Sequence, residues 1–144
     1  MLGLLVEAAG QRLAVDVRDV AQVLPLATLR PYSPAPASLV GLLLHHGGVM
    51  PVFDLERIRG GEPPPERLHT RLILVQARQA ADQPQFALRV ARVIEVRPFD
   101  DASFASGKIL LDAEGTIEVI DPAVALPDDA RHWLRRFSAA EVGG

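Results

Sequence analysis

Short stretches in which apolar and polar residues alternate, each closed by Gly, Pro or Asp, run through most of the chain. Alternation with period two is the pattern of strands with one face buried. Leu4 to Ala8 and Arg12 to Val15 flank Ala9-Gly10-Gln11, which predicts a first hairpin with Gly10 supplying a positive φ. Val20 to Leu24 predicts a strand ending at Pro25. Leu42 to His46 and Val49 to Phe53 predict a second hairpin around Gly47-Gly48, because a Gly pair permits the turns whose twist suits antiparallel strands. Leu72 to Val75, Phe86 to Val90, Val93 to Val96, Ile109 to Leu111 and Thr116 to Ile120 predict further strands, the last two joined through Asp112-Ala113-Glu114-Gly115. Asp54 reads as the N-cap of a helical turn over Leu55 to Ile58, its side chain accepting from an unpaired N–H. Asp128 to Glu141 predicts the one sustained helix, with Leu134 and Phe137 on a face beside Trp133. Glu62-Pro63-Pro64-Pro65-Glu66 can neither pair in a ladder nor continue a helix, and predicts a surface linker between two halves.

The halves are related. Leu13 to Val23 lies over Phe86 to Val96 without a gap, apolar on apolar. The register persists downstream, where Gly41 leads to Pro51-Val52-Phe53-Asp54 and Gly107 leads to Glu118-Val119-Ile120-Asp121. The expectation is an all-β fold of two pseudo-symmetric five-stranded SH3-like barrels with short helices and a C-terminal helix, since closing short strands into barrels removes exposed edges. A single domain over residues 1–144 is expected, with a first lobe over about 14–66, a second over about 67–126 that shares the N-terminal strand region, and the helix at 128–141.

Composition narrows the chemistry. With 49% hydrophobic and 23% charged residues in 144, the chain has the makeup of a globular domain large enough for a real core. A formal charge of −3 supplies no broad basic field for nucleic acid. There is no cysteine, hence no disulfide, thiolate nucleophile or cysteine metal site. Leu2 to Val6 lacks the basic n-region of a secretory signal and no apolar run reaches the length of a membrane span, so a cytoplasmic protein is expected. His45 and His46, read as neighbours on a strand, would leave opposite faces, and His69 and His132 have no ligand partner at helical spacing, so no metal is expected. None of Ser33, Ser38, Ser103, Ser106 and Ser138 sits in a Gly-Xaa-Ser-Xaa-Gly elbow, and no glycine-rich phosphate cradle is present. Asp100-Asp101 and Asp128-Asp129 are explained by capping, and Arg131, Arg135 and Arg136 by a solvated helix face that suits the helix dipole. No catalytic residue and no cofactor are predicted.

Val20-Ala21-Gln22-Val23, Pro34-Ala35-Pro36, the block from Gly41 through His45-His46-Gly47-Gly48 to Pro51-Val52-Phe53-Asp54-Leu55, and Thr70-Arg71-Leu72-Ile73-Leu74-Val75 follow one another in an order that resembles the CheW-like family of bacterial chemotaxis coupling proteins. The likeness spans about residues 2 to 126. It implies two pseudo-symmetric barrels, no catalytic residue, and a cytoplasmic adaptor or scaffold for signal transduction in a two-component system, recruited to membrane-associated receptor arrays. The implied partners are the chemoreceptor cytoplasmic tip and the regulatory domain of a CheA-type histidine kinase, with self-association as a further mode, no nucleic acid and no membrane insertion. The receptor groove of the family carries over to Val17, Val20, Gln22 and His46, and Ser38, Leu39, Val40 and Gly41 form a weaker candidate surface. Kinase contacts in the family lie at barrel ends and carry over to no particular residue.

The departures are specific. Gln22 stands where the family motif has Glu and His46 where it has Arg, so both members of the family's ion pair are replaced together, and a Gln22 to His46 hydrogen bond is the expected substitute. Leu44 replaces an Asn, and the Val-Asp-Xaa-Val pattern of the second half reads Val90-Ala91-Arg92-Val93. These changes point to a divergent or accessory member. The alternatives are a small-barrel nucleic-acid binder using its arginines, although such barrels stack bases on exposed aromatics and only 5% of this chain is aromatic, and a self-assembling scaffold without a kinase.

Overall fold

Strand pairing begins with the predicted hairpins in the computed structural model, which describes residues 1–61, 68–76 and 85–143, with side chains through 137. The proline tract read as a linker, residues 62–66, lies outside the described residues. β1 (Leu2–Ala8) and β2 (Gln11–Asp16) close over Ala9 and Gly10, with φ of 53° and 71°. After β3 (Val20–Pro25), β4 (Leu39–His45) and β5 (Gly48–Asp54) turn one residue earlier than expected, at His46 and Gly47, with φ of 50° and 76°.

Proline explains the shift. In a two-residue hairpin the pair flanking the turn is hydrogen-bonded and the ladder alternates from there. With His45 opposite Gly48, Pro51 falls opposite Leu42 at a non-bonded position, where its missing N–H costs the β4 ladder nothing. A turn at Gly47-Gly48 would demand that N–H. Leu42 accordingly points its own backbone groups the other way, exchanging bonds of 2.8 Å with Arg30 in both directions.

The remaining elements are α1 (Leu55–Ile58), β6 (Arg71–Val75), β7 (Phe86–Val90), β8 (Arg92–Pro98), β9 (Ile109–Asp112), β10 (Gly115–Val119), α2 (Pro122–Ala125) and α3 (Asp128–Gly143). They build two five-stranded sheets: sheet I in the order β3-β6-β7-β5-β4 and sheet II in the order β8-β1-β2-β10-β9. The predicted duplication is visible in this order, with β6, β7, β5 and β4 standing where β1, β2, β10 and β9 stand.

The sheets divide the chain differently from the two sequence halves. Position 66 falls between β5 and β6, which both belong to sheet I. β2 leaves the first half to pair in parallel with β10, and β7 leaves the second half to pair in parallel with β5. Each repeat thus lends its first strand to the other sheet. Parallel neighbours need long crossover connections, so this exchange is set by distant contacts and not by local pattern.

The sheets curl without closing into barrels, since the described ladders end at β3 and β4 in sheet I and at β8 and β9 in sheet II. Inside the curl of sheet I, Leu43, Met50, Val52, Leu72, Leu74 and Ala87 form one cluster with Leu24, Leu26 and Leu29 against it. Inside sheet II, Leu5, Ala14 and Ile117 pack with Ile94, Phe99, Phe104 and Leu110. The central strands are buried on both faces. Their other sides meet at a seam where Leu4, Val6, Leu13 and Val15 of sheet II pack with Ile73 and Val90 of sheet I. Ala130 and Leu134 of α3 then seal Phe53, Phe86 and Leu88 on sheet I.

Candidate interaction surfaces

Val17 begins a 3-10 turn over Val17–Asp19, held by Asp16, whose Oδ1 accepts from the Arg18 N–H at 2.9 Å. That turn carries the chain from sheet II to sheet I. Val17 and Val20, on either side of the crossing, are half-buried against the seam cluster, as is Val93 of β8. The seam does not end there. Val96 pairs with Leu4, whose side chain is part of the seam, and Leu2 lies two residues along the same strand face. Leu2 is 50% and Val96 55% exposed, so an apolar margin runs from the half-buried valines out to solvent. Sequence reading missed these two; the alternation of β1 and β8 was the available signal.

Gln22 and His46 face a different depression. Gln22 on β3 and His46 in the β4–β5 turn line a groove of ≈ 500 Å³ with His45, Val49, Pro51 and Phe137. Among the described residues no hydrogen bond joins Gln22 to His46, contrary to the expected substitute for an ion pair. The reason is the turn: with a left-handed backbone, His46 has left the strand. The same shift brings the rings of His45 and His46 to 4.0 Å instead of onto opposite faces. No group of three potential metal ligands occurs among the described residues.

Ser38, Leu39 and Gly41 lie in the interior and only Val40 is half-exposed. The Ser38 carbonyl accepts from the Asp54 N–H at 2.8 Å, and Leu39 packs beside Phe53. A Cβ on Gly41 would stand 2.8 Å from the Arg30 carbonyl oxygen, so glycine is required for that crossing. These positions hold the fold.

The far ends of the two sheets present matched side chains. His45 pairs with Gly48 as Asp112 pairs with Gly115, which sets Leu44 and Leu111 at equivalent sites on β4 and β9. They are 64% and 79% exposed. Both lie on edge strands, where unpaired backbone groups and an apolar side chain invite a partner.

Charge is concentrated in two places that the sequence did not announce. Asp54, fully buried, accepts from Arg89 Nη2 at 2.6 Å and, as predicted, caps α1 by accepting from the Glu56 N–H at 2.9 Å. Asp112 sits between Arg12, at 2.5 and 2.8 Å, and Arg97, at 2.8 Å. The Arg12 hydrogen bond, with that of Arg97, holds the Asp112 carboxyl well below the usual carboxylate range. Bonding to Asp112 in turn raises both guanidinium groups.

Comparison with known proteins agrees with the architecture. Residues 2–134 match the family described as CheW-like domain. The crystal structure of scaffolding protein TtCheW from Thermoanaerobacter tengcongensis superposes with a TM-score of 0.76 at 20% identity, covering 90% of this chain and 89% of that one, a likeness of fold. No curated protein matches the chain. Among the described residues no helix is long and apolar enough to cross a membrane.

Proposed function

The chain belongs to the CheW-like family, and from that premise we propose that it is a non-catalytic adaptor of a bacterial chemosensory array, coupling the chemoreceptor cytoplasmic tip to the regulatory domain of a CheA-type histidine kinase. The observation that carries this reading is the open apolar margin of the seam. A helical receptor tip lies along Val17 and Val20, with Leu2 and Val96 extending the contact and Gln22 and His46 bordering it from the neighbouring groove. The kinase domain, or a further copy of this chain, takes the sheet ends marked by Leu44 and Leu111. Two equivalent ends on one molecule let it link neighbours on both sides, as an array requires. The protein acts in the cytoplasm and reaches the membrane through its receptor. Replacement of the family's Glu–Arg ion pair by Gln22 and His46 makes it a divergent or accessory coupler.

Charge placement weighs against the nucleic-acid alternative. Arg12, Arg59, Arg89, Arg92 and Arg97 are each bound to a carboxylate, which removes them from any phosphate-binding groove.

Co-sedimentation with receptor-tip assemblies and the kinase tests the proposal. The wild-type chain is expected to incorporate, and Val20→Asp to weaken incorporation by at least about thirtyfold, the effect of losing a central apolar anchor. Val20 leans on the core, so Val96→Asp, at a more exposed site, accompanies it and is expected to retain the wild-type circular dichroism spectrum. Wild-type incorporation by both folded variants would remove the seam as the receptor site.

A further inference from the structure

We propose that the aromatic groove between α3 and the β4–β5 hairpin is a docking site for an acidic peptide segment carrying bulky apolar side chains. The groove lies on the outer face of sheet I, and the inference does not depend on the adaptor reading. Its floor is formed by Tyr32, Leu42, Val49, Trp133 and Phe137 around a volume of ≈ 680 Å³. Trp133 and Phe137 stack at 5.1 Å, and Tyr32 meets each of them edge-on at 5.8 Å.

Anchoring of α3 accounts for part of this cluster, because Trp133 Nε1 donates to the Pro34 carbonyl at 3.2 Å. It does not account for the rest. Ala130 and Leu134 already bury the helix against sheet I, while Tyr32 and Val49 remain exposed across the groove. A contiguous aromatic surface left open in this way is the composition of an interface core.

Charge selects the occupant. His132 and Arg136 line the groove, and among the described residues no carboxylate does. Arg131, earlier on the same helix, is tied to Asp128, whereas Arg136 makes no ion pair among the described residues. An uncommitted guanidinium offers a two-pronged donor for a carboxylate. Beyond Val49 and Phe137 the depression continues into the one lined by His45 and His46, again without a described carboxylate. Two adjoining depressions that share Val49 and Phe137 favour an extended or helical peptide over a compact small molecule.

Trp133 is the only tryptophan in the chain, so its emission reports on this groove alone. The probe is a tryptophan-free 12-residue peptide of Glu, Leu and Phe (about three turns of helix), titrated into the full chain at low salt. A saturable change in Trp133 emission is expected. Replacing Glu by Lys in the peptide, or Arg136→Glu in the protein, should weaken binding by roughly five- to tenfold, with Arg136→Gln intermediate, as for a partly exposed charge contact. Replacing Leu and Phe by Ser should abolish the change. Arg136 is exposed and makes no ion pair among the described residues, so the variants are expected to melt as wild type does. An absent or unsaturable response, equal binding of the Glu and Lys peptides, or affinity indifferent to Arg136 would overturn the assignment.

Discussion

Sheets I and II are copies of one pattern, yet their open edges are brought together by different chemistry. In sheet I the edge is closed by backbone and hydrocarbon: Arg30 and Leu42 exchange two main-chain bonds over Gly41, and three leucines fill the space beneath. In sheet II the opposite edge strands, β8 and β9, are tied by a side-chain ion pair, Arg97 to Asp112, with Arg12 of β2 completing the group. Beneath it Phe99 and Phe104 pack at 5.1 Å over Gly3. The equivalent of Asp112 in sheet I is His45, which makes no such tie among the described residues. At one equivalent buried position the repeats carry opposite charges, Arg89 in sheet I and Asp16 in sheet II. A duplicated fold therefore preserves strand order and turn positions while its electrostatics diverge.

The largest difference is expected at a pair of equivalent caps. Asp54 and Asp121 precede α1 and α2 with nearly the same backbone, φ −98° with ψ 111° and 113°, and each accepts from the N–H of the second residue of its helix at 2.9 Å. Asp54 additionally holds buried Arg89. Asp54→Ala should therefore cost about 3 kcal/mol, the value of a cap together with a buried hydrogen bond between charged groups, whereas Asp121→Ala should cost only about 1 kcal/mol, the value of a cap. Urea denaturation of the two variants gives both numbers directly. Equal losses would show that the buried pair contributes no more than its cap.

Why these features were or were not legible follows from the range of the forces involved. Hairpins, caps and α3 rest on neighbours within a few residues, and their residues announced them. The β4–β5 turn sits one residue earlier than its glycine pair suggests because the register is fixed by Pro51, whose missing donor lies outside the turn. The strand exchange between repeats rests on parallel pairing of β2 with β10 and β7 with β5, contacts 105 and 35 residues apart, which no local period encodes. Arg89 could have been suspected, since one charge inside Phe86-Ala87-Leu88-Arg89-Val90 must find a partner if both faces are buried. Of the candidate receptor residues, Val17 and Val20 do share the seam, while Gln22 and His46 were grouped with them only through family resemblance and line a separate groove.

The two glycines under the closures give an intermediate effect. An added methyl at Gly41 meets a carbonyl that is itself accepting a hydrogen bond, and main chain cannot move without breaking the Arg30–Leu42 bridge. Gly41→Ala is expected to destabilise by about 1–3 kcal/mol, the usual cost of overpacking. At Gly3 the methyl would fall 2.6–2.9 Å from the rings of Phe99 and Phe104, side chains that are only half-buried. Rotation of those rings relieves part of the clash, so Gly3→Ala should cost less than Gly41→Ala. Matched thermal melts of the two variants decide the order, and a reversal would place the more rigid closure in sheet II.

The smallest effect, and the one that separates the two closures by mechanism, is ionic. The Asp112 carboxyl is held below its ordinary range by Arg12 and Arg97, so the folded state binds its proton more weakly than the unfolded chain does. The stabilisation is then complete above the unfolded carboxylate value of about 3.9 and is lost as the pH falls below it toward the depressed folded value. Asp112→Asn keeps the shape, removes the charge, and leaves Arg12 facing Arg97. Its melting temperature should lie furthest below wild type near neutral pH in dilute buffer, and the gap should narrow in acid and in high salt, since the group is partly open to solvent. The deficit of Gly41→Ala should stay constant across the same salt series, because it arises from steric contact alone. A gap for Asp112→Asn that ignores both acid and salt would mean that sheet II, like sheet I, is held together by packing and that its ion pair merely follows from the curl.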